Sequence, residues 1–201
     1  MVMERYGATM SLVLLALGVA TSAAAGGNLV QNGKFAAGNK DFTTGYTLTT
    51  MTPYLFQDGV HGIYAVEPAG SIASSSAYGD WTNISTDPKG GNGNVLVADG
   101  ATSANTVVWS ETVAVTPNTN YKFSFDGAEV SNACCSNAML AASVNGVTQS
   151  VLTTSATWQK SGFKWNSGSA TSAVLAITDT NTDGAYNDFA IDFIMFKATG
   201  P

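Results

Sequence analysis

The chain is short of charge and of the side chains that carry most enzyme chemistry. Only 11% of its 201 residues are Asp, Glu, Lys or Arg, less than half of the roughly 25% usual in soluble proteins. It has one histidine, His61, and two cysteines, Cys134 and Cys135. No Gly-x-Ser-x-Gly elbow, His-Glu-x-x-His pair or phosphate-cradling glycine loop occurs, so the common hydrolase, zinc-peptidase and nucleotide-binding signatures are unmatched. The 8 Lys and Arg are scattered along the sequence against 14 Asp and Glu, for a net charge of -6. Nucleic acid is not an expected partner, because its binding depends on basic side chains displacing counterions; the same balance argues against anionic lipid. Beyond residue 25 no apolar run approaches the roughly 18 residues of a spanning helix, so no membrane insertion is expected.

What the chain does have is Gly, Ser, Thr and Asn in quantity, so its solubility rests on hydroxyls and amides. Residues 1–25 read as a secretory signal: Glu4 and Arg5, an apolar stretch over residues 10–20, then Ser22-Ala-Ala-Ala25 for cleavage. The mature chain is expected to start near Gly26 and to form one domain over residues 26–201, secreted to the periplasm or the extracellular space. In such an oxidising compartment the adjacent Cys134 and Cys135 can form a vicinal disulfide, stay free or link two chains.

Periodicity is that of strands. In residues 107–115 Val107, Trp109, Glu111, Val113 and Val115 fall on one face and Ser110 and Thr112 on the other, the pattern of a half-buried strand. A turn at Pro117-Asn-Thr-Asn120 leads to Tyr121, Phe123 and Phe125 alternating with Lys122 and Ser124, and the two runs read as a hairpin-like pair. Further strands are expected at residues 139–144, 147–153, 158–165, 173–178 and 189–197, with Asn145-Gly146 the strongest hairpin turn. Residues 28–35 also read as a strand. Shorter runs at 46–50, 63–66 and 95–98 lie in a looser, loop-rich region. The fold class expected is all-β, a jelly-roll β-sandwich of two antiparallel sheets whose terminal strands pair.

Three motifs in this order, Asn28-Leu-Val-x-Asn32-Gly33-x-Phe35, Val108-Trp109-Ser-Glu-Thr-Val113 with Pro117-Asn-Thr-x-Tyr121, and Asn187-Asp-Phe-Ala-Ile-Asp192, give the chain its likeness. It resembles the galactose-binding-like jelly-roll domains, which include CenC-type carbohydrate-binding modules, and is similar to versions of the domain in exported bacterial surface proteins. The resemblance implies glycan binding without catalysis and a calcium ion between the first and last strands, with Asp192 as a ligand. The first-strand motif usually continues Phe-Glu, and here it reads Phe35-Ala36. No sorting tail follows residue 197, so free secretion is the expected fate.

Sugar rings stack on flat side chains while polar neighbours bond their hydroxyls. The loop-rich segment supplies Tyr54, His61, Tyr78, Asp80, Trp81 and Asn83 as candidate sugar-binding residues, with Trp81 as an exposed platform. Phe56 and Tyr64 in the same segment read equally as core; Trp109, Trp158 and Trp165 lie in strand patterns and read as core. Asp179-Thr-Asn181-Thr-Asp183-Gly184 opens like a calcium loop but has Ala190 at the twelfth position, so it reads also as an ordinary turn. The carboxylate pairs Glu67 and Glu111, or Asp126 and Glu129, would serve a glycosidase only if they faced each other across a cleft, and no enzyme activity is expected. The alternative function is a structural or adhesive matrix protein without a glycan ligand.

Overall fold

The computed structural model describes residues 26–49, 60–74, 81, 83–131, 137–183 and 186–199. Its strands are β1 (Thr47–Leu48), β2 (Ile63–Pro68), β3 (Asn94–Asp99), β4 (Thr106–Ala114), β5 (Asn120–Glu129), β6 (Met139–Val144), β7 (Val147–Thr153), β8 (Gln159–Asn166), β9 (Ser172–Asp179) and β10 (Phe189–Ala198). They form a six-stranded sheet in the order β1-β2-β3-β10-β5-β8 and a four-stranded sheet in the order β4-β9-β6-β7. The described residues contain no α-helix, only a 3-10 segment at Ala69–Ser74. The chain is an all-β jelly-roll sandwich, as its alternation implies.

The main core lies between the sheets. Tyr121, Phe123 and Phe125 of β5 and Ile191, Ile194 and Phe196 of β10 meet Trp109, Val113, Leu140, Leu175 and Ile177 of the other sheet. Tyr121 and Phe196 stack with ring centroids 4.8 Å apart and planes 9° from parallel. Val95-Leu-Val-Ala98 is buried on both faces, which is why β3 reads as a continuous apolar run without alternation. Its outward residues Val95 and Val97, with Ile63, Ala65, Ala128, Val130 and Ala190, lie under a second cluster that adds Ala69, Ile72, Trp81 and Ile84. Ala69, Ile72, Trp81 and Ile84 therefore cover part of the outer face of the six-stranded sheet.

Three expectations change. The two runs read as a hairpin-like pair, β4 and β5, lie in different sheets; the turn between them carries the chain from one layer to the other, where the Thr116 amide donates to the Tyr121 hydroxyl at 2.8 Å. Within β4 the register slips between Val107 and Trp109, so Val108 turns inward and Val107 is only half-buried. A bulge of this kind inserts one residue and breaks strict alternation. Asn145-Gly146 does close the β6–β7 hairpin, with both residues at positive φ (51° and 76°).

Residues 28–35 form no strand. They still join the two ends of the domain, because β10 has its own bulge between Asp192 and Met195. The Leu29 amide donates to the Phe196 carbonyl at 2.8 Å and the Ile194 amide to the Gly33 carbonyl at 2.7 Å. The Asn28 side chain accepts from the Phe196 amide at 2.8 Å and donates to the Ile194 carbonyl at 3.0 Å. Gly33 sits so close to the Ile194 carbonyl that a Cβ there would overlap its oxygen. Gly33→Ala is expected to lower stability by about 1–3 kcal/mol, the usual cost of an overpacked contact that backbone must relieve, measured as a lower urea midpoint. An unchanged midpoint would show that this approach carries no weight.

Candidate functional site

At one end of the sandwich β2 starts beside the end of β3, β10 starts beside the end of β5, and β6 starts beside the end of β9. Buried carboxylates anchor the loops there. Asp179 is fully buried and accepts from the Tyr46 hydroxyl (2.8 Å), the Asn187 side chain (2.7 Å) and the amides of Ala101 (3.2 Å) and Asn181 (3.0 Å). Burial pushes its carboxyl upward and these bonds pull it back; burial, then the Asp179 charge, raises the Tyr46 hydroxyl. Gly100 approaches Asn187 too closely for any Cβ, so this junction has no slack.

The structure brings several expected residues to this end and gives them structural partners. Asn181 accepts from the Asp183 amide at 3.0 Å and donates to the Asn137 carbonyl at 2.9 Å, so residues 179–183 form a chain of side-chain-stabilised turns. His61 Nδ1 lies 2.9 Å from Asp99. Asn83 ties its loop to the end of β5 through the carbonyls of Val130 and Ser131. Tyr54, Tyr78, Asp80, Cys134 and Cys135 lie outside the described residues.

Trp81 is not an exposed platform. It is 2% exposed, packs in the second cluster and donates its indole N–H to Asp188 at 3.0 Å. A lone aromatic in a polar run looks exposed in sequence; here its ring packs on the outer face of the sheet. Trp109 is in the main core, Trp165 packs against it, and Trp158 lies beside the second cluster with its N–H on the Thr86 carbonyl.

Asp192 is buried, with one oxygen 2.6 Å from the Phe193 amide. Burial pushes its carboxyl up to about 7, with the Phe193 bond and Lys34 opposing and Asp87 and Asp126 adding to the rise. Calcium takes six to eight oxygens. Among the described residues no three His, Cys, Asp or Glu side chains cluster to hold a metal, and Ala36 offers no carboxylate.

A depression of about 280 Å³ opens where residues 41–43 run along the free edge of β4. Thr43 and Ser110 exchange two backbone hydrogen bonds of 2.9 Å. The neighbouring Phe42 ring is partly buried against the main core, in edge contacts with Phe35 (5.7 Å) and Tyr64 (6.1 Å). Asp41, Thr43, Ser110, Glu111 and Thr112 complete the lining. Glu111 receives the Gln31 amide on both oxygens (3.0 and 3.2 Å); burial raises its carboxyl, the Gln31 bond lowers it, and Asp41 raises it further. The size sits near the lower end of small-ligand pockets, roughly 300 Å³. Sequence reasoning missed this site because residues 41–43 and 110–112 are far apart; the only signal was Glu111 on an otherwise apolar strand face.

No family model matches the chain, and no characterised protein sequence does. Solved structures do. The N-terminal CBM22-1–CBM22-2 tandem domain of Paenibacillus barcinonensis Xyn10C aligns at TM-score 0.53 and 18% identity over 90% of this chain, which spans 48% of that one. TmCBM61, solved in complex with beta-1,4-galactotriose, aligns at 0.52 and 14% over 86% of this chain and 99% of that one. The chain has the fold of a carbohydrate-binding module. The Stig cyclase Fisc from Fischerella sp. TAU shares it too, at TM-score 0.56 and 10% identity over 86% and 96% of the two chains; a fold carried by both binders and cyclases leaves activity to be argued from the site.

Trp81→Ala should cost about 3–5 kcal/mol, the range for removing a buried aromatic, whereas loss of a surface platform would leave the denaturation midpoint in place. Glu129 gives a pH test. Burial pushes it up to about 7 from 4.5, against bonds from Thr154 and Ala138, with Asp188 adding to the rise. Between those values the folded chain keeps a proton that the unfolded chain has released, so stability falls as pH rises through that window. Glu129→Gln should flatten the fall, gaining melting temperature over the parent at about pH 8 and not at about pH 4; parallel curves would assign the slope elsewhere.

Proposed function

We propose that this is an exported, non-catalytic carbohydrate-binding protein that takes a sugar ring at the edge of β4. The observation that carries the reading is the depression itself, lined by Phe42, by the hydroxyl side chains Thr43, Ser110 and Thr112 and by the carboxylates Asp41 and Glu111, on a fold shared with carbohydrate-binding modules. Phe42 would offer its apolar surface to a sugar ring. Thr112 can donate or accept, the Thr43 and Ser110 hydroxyls, which already donate to the Ser110 and Leu175 carbonyls, can accept, and Asp41 and Glu111 accept from sugar hydroxyls. The backbone pairing of Thr43 with Ser110 fixes these groups before ligand arrives, which lowers the ordering cost of binding. Export is supported by the signal-like residues 1–25 and by the hydroxyl-rich, weakly charged composition.

A specific observation favours a second, adhesive reading. The outer face of the four-stranded sheet exposes Met139, Val151 and Val174 (41%, 52% and 44%) among Ser and Thr, with no charged side chain in those outward positions of β6, β7 and β9. Such a surface suits contact with protein.

Titration calorimetry against neutral galactans, xylans and glucans tests the first reading. A binder should lose roughly tenfold or more in affinity on Phe42→Ala, equivalent to about 1.4 kcal/mol, with its melting temperature reported alongside. No glycan bound at millimolar concentration, together with concentration-dependent self-association, would install the adhesive reading instead. Release of reducing sugar that disappears in Glu111→Gln would make the two carboxylates catalytic.

A further inference from the structure

The basic residues that look scattered in sequence are gathered by the fold. Of the seven lysines, six lie on the outer face of the six-stranded sheet or over it. Lys122 on β5 stands directly opposite Lys197 on β10 and Lys164 on β8, a row of three across adjacent strands. Their neighbours Tyr121, Phe123 and Phe196 point into the core, so all three lysines point outward, Lys122 and Lys164 exposed and Lys197 half-buried. Lys160 lies on the same face, 2.8 Å from Asp126. Lys34 and Lys89, from two different segments, hold their ammonium groups 4.8 and 4.9 Å from the centre of the Phe193 ring.

The local acids do not neutralise the row. Asp126 is engaged by Lys160, and Asp192 is 1% exposed. Asp87 accepts from the amides of Lys89, Gly91 and Gly93. Among the described residues Lys160 is the one lysine of the six with an ion pair. Like charges directly opposite in a sheet destabilise it, so three in a row are a cost that folding alone does not repay. Phe193 adds another: it sits at φ 50°, a conformation uncommon for a bulky side chain and often found at functional positions.

We propose that this half of the outer face is a second binding site, for an anionic polysaccharide bearing carboxylate or sulfate groups on successive rings. Three lysines at inter-strand steps of about 4.8 Å present a short, straight line of charge, a spacing comparable to one charged sugar ring per step. Met195, Ser124 and Gly162 form the next row, which carries no charge, and Phe193 holds two further ammonium groups at the margin. Every basic residue after Arg5 is lysine, a point charge without the planar fork that reads bases and grips phosphate bidentately; this favours the polysaccharide over nucleic acid. The site is on the sheet opposite the β4 depression and does not depend on a sugar there.

Binding of the full mature chain to polygalacturonate, a sulfated galactan, neutral galactan, a single-stranded oligonucleotide and phosphatidylglycerol vesicles decides the matter. Polygalacturonate or the sulfated galactan should bind, the preferred one naming the anion, and affinity should fall about tenfold or more between low and physiological salt. Lys122→Gln/Lys164→Gln/Lys197→Gln should abolish that binding while melting at or above the parent, because a repulsive row has gone; the corresponding triple Arg variant should retain it. Phe42→Ala should leave it unchanged, which separates failure here from failure of the β4 reading. Equal, salt-independent binding of neutral galactan, preference for the oligonucleotide or the vesicles, or full binding by the triple Gln variant would each overturn the proposal.

Discussion

The bulge in β10 is the constraint on which the rest of the molecule turns. One extra residue between Asp192 and Met195 puts Phe193 at positive φ and frees the Ile194 backbone from the β5 ladder. The opening segment takes up that backbone through Asn28 and Gly33, so both ends of the domain close on each other. A buried backbone group must find a partner, and here the partner comes from about 160 residues away in sequence. The same bulge sets Phe193 beneath Lys34 and Lys89 and turns Lys197 to the outer face. Closure of the fold and construction of the basic face are therefore one event.

The six-stranded sheet is used twice. Its inner face makes the main core, and part of its outer face is covered by Ala69, Ile72, Trp81 and Ile84. The remaining part carries the lysine row. At the loop-bearing end, buried carboxylates with several donors each replace apolar packing as the means of fixing irregular chain. A carboxylate with enough donors can be buried, but it stays sensitive to proton loss, which ties the rigidity of that end to pH.

Much of the fold was legible because strand periodicity is local. Tyr121-Lys122-Phe123-Ser124-Phe125 states which side faces the core, and Asn145-Gly146 states where β6 turns into β7. Less was legible where two faces are buried or where a loop supplies core: Trp81 stands in a polar run of the sequence, yet its ring joins the second cluster. Residues 28–35 carry strand-like alternation, yet the contacts they make with β10 are set by Asn28 and Gly33 rather than by a ladder. The candidate sites were the least legible part, since Phe42 meets Glu111 and Lys122 meets Lys164 only after distant strands are side by side.

The sequence by itself determined that this is an all-β chain, where most of its strands run and which of their residues face inward, because those properties follow from a two-residue period and from turn residues with special backbone freedom. Tertiary structure alone decided that β4 and β5 part into different layers, that Trp81 is buried, and that lysines spread over some 160 positions become neighbours. Charge and exposure at a site are properties of space, and cross-strand neighbours are set by sheet order, which no local pattern encodes.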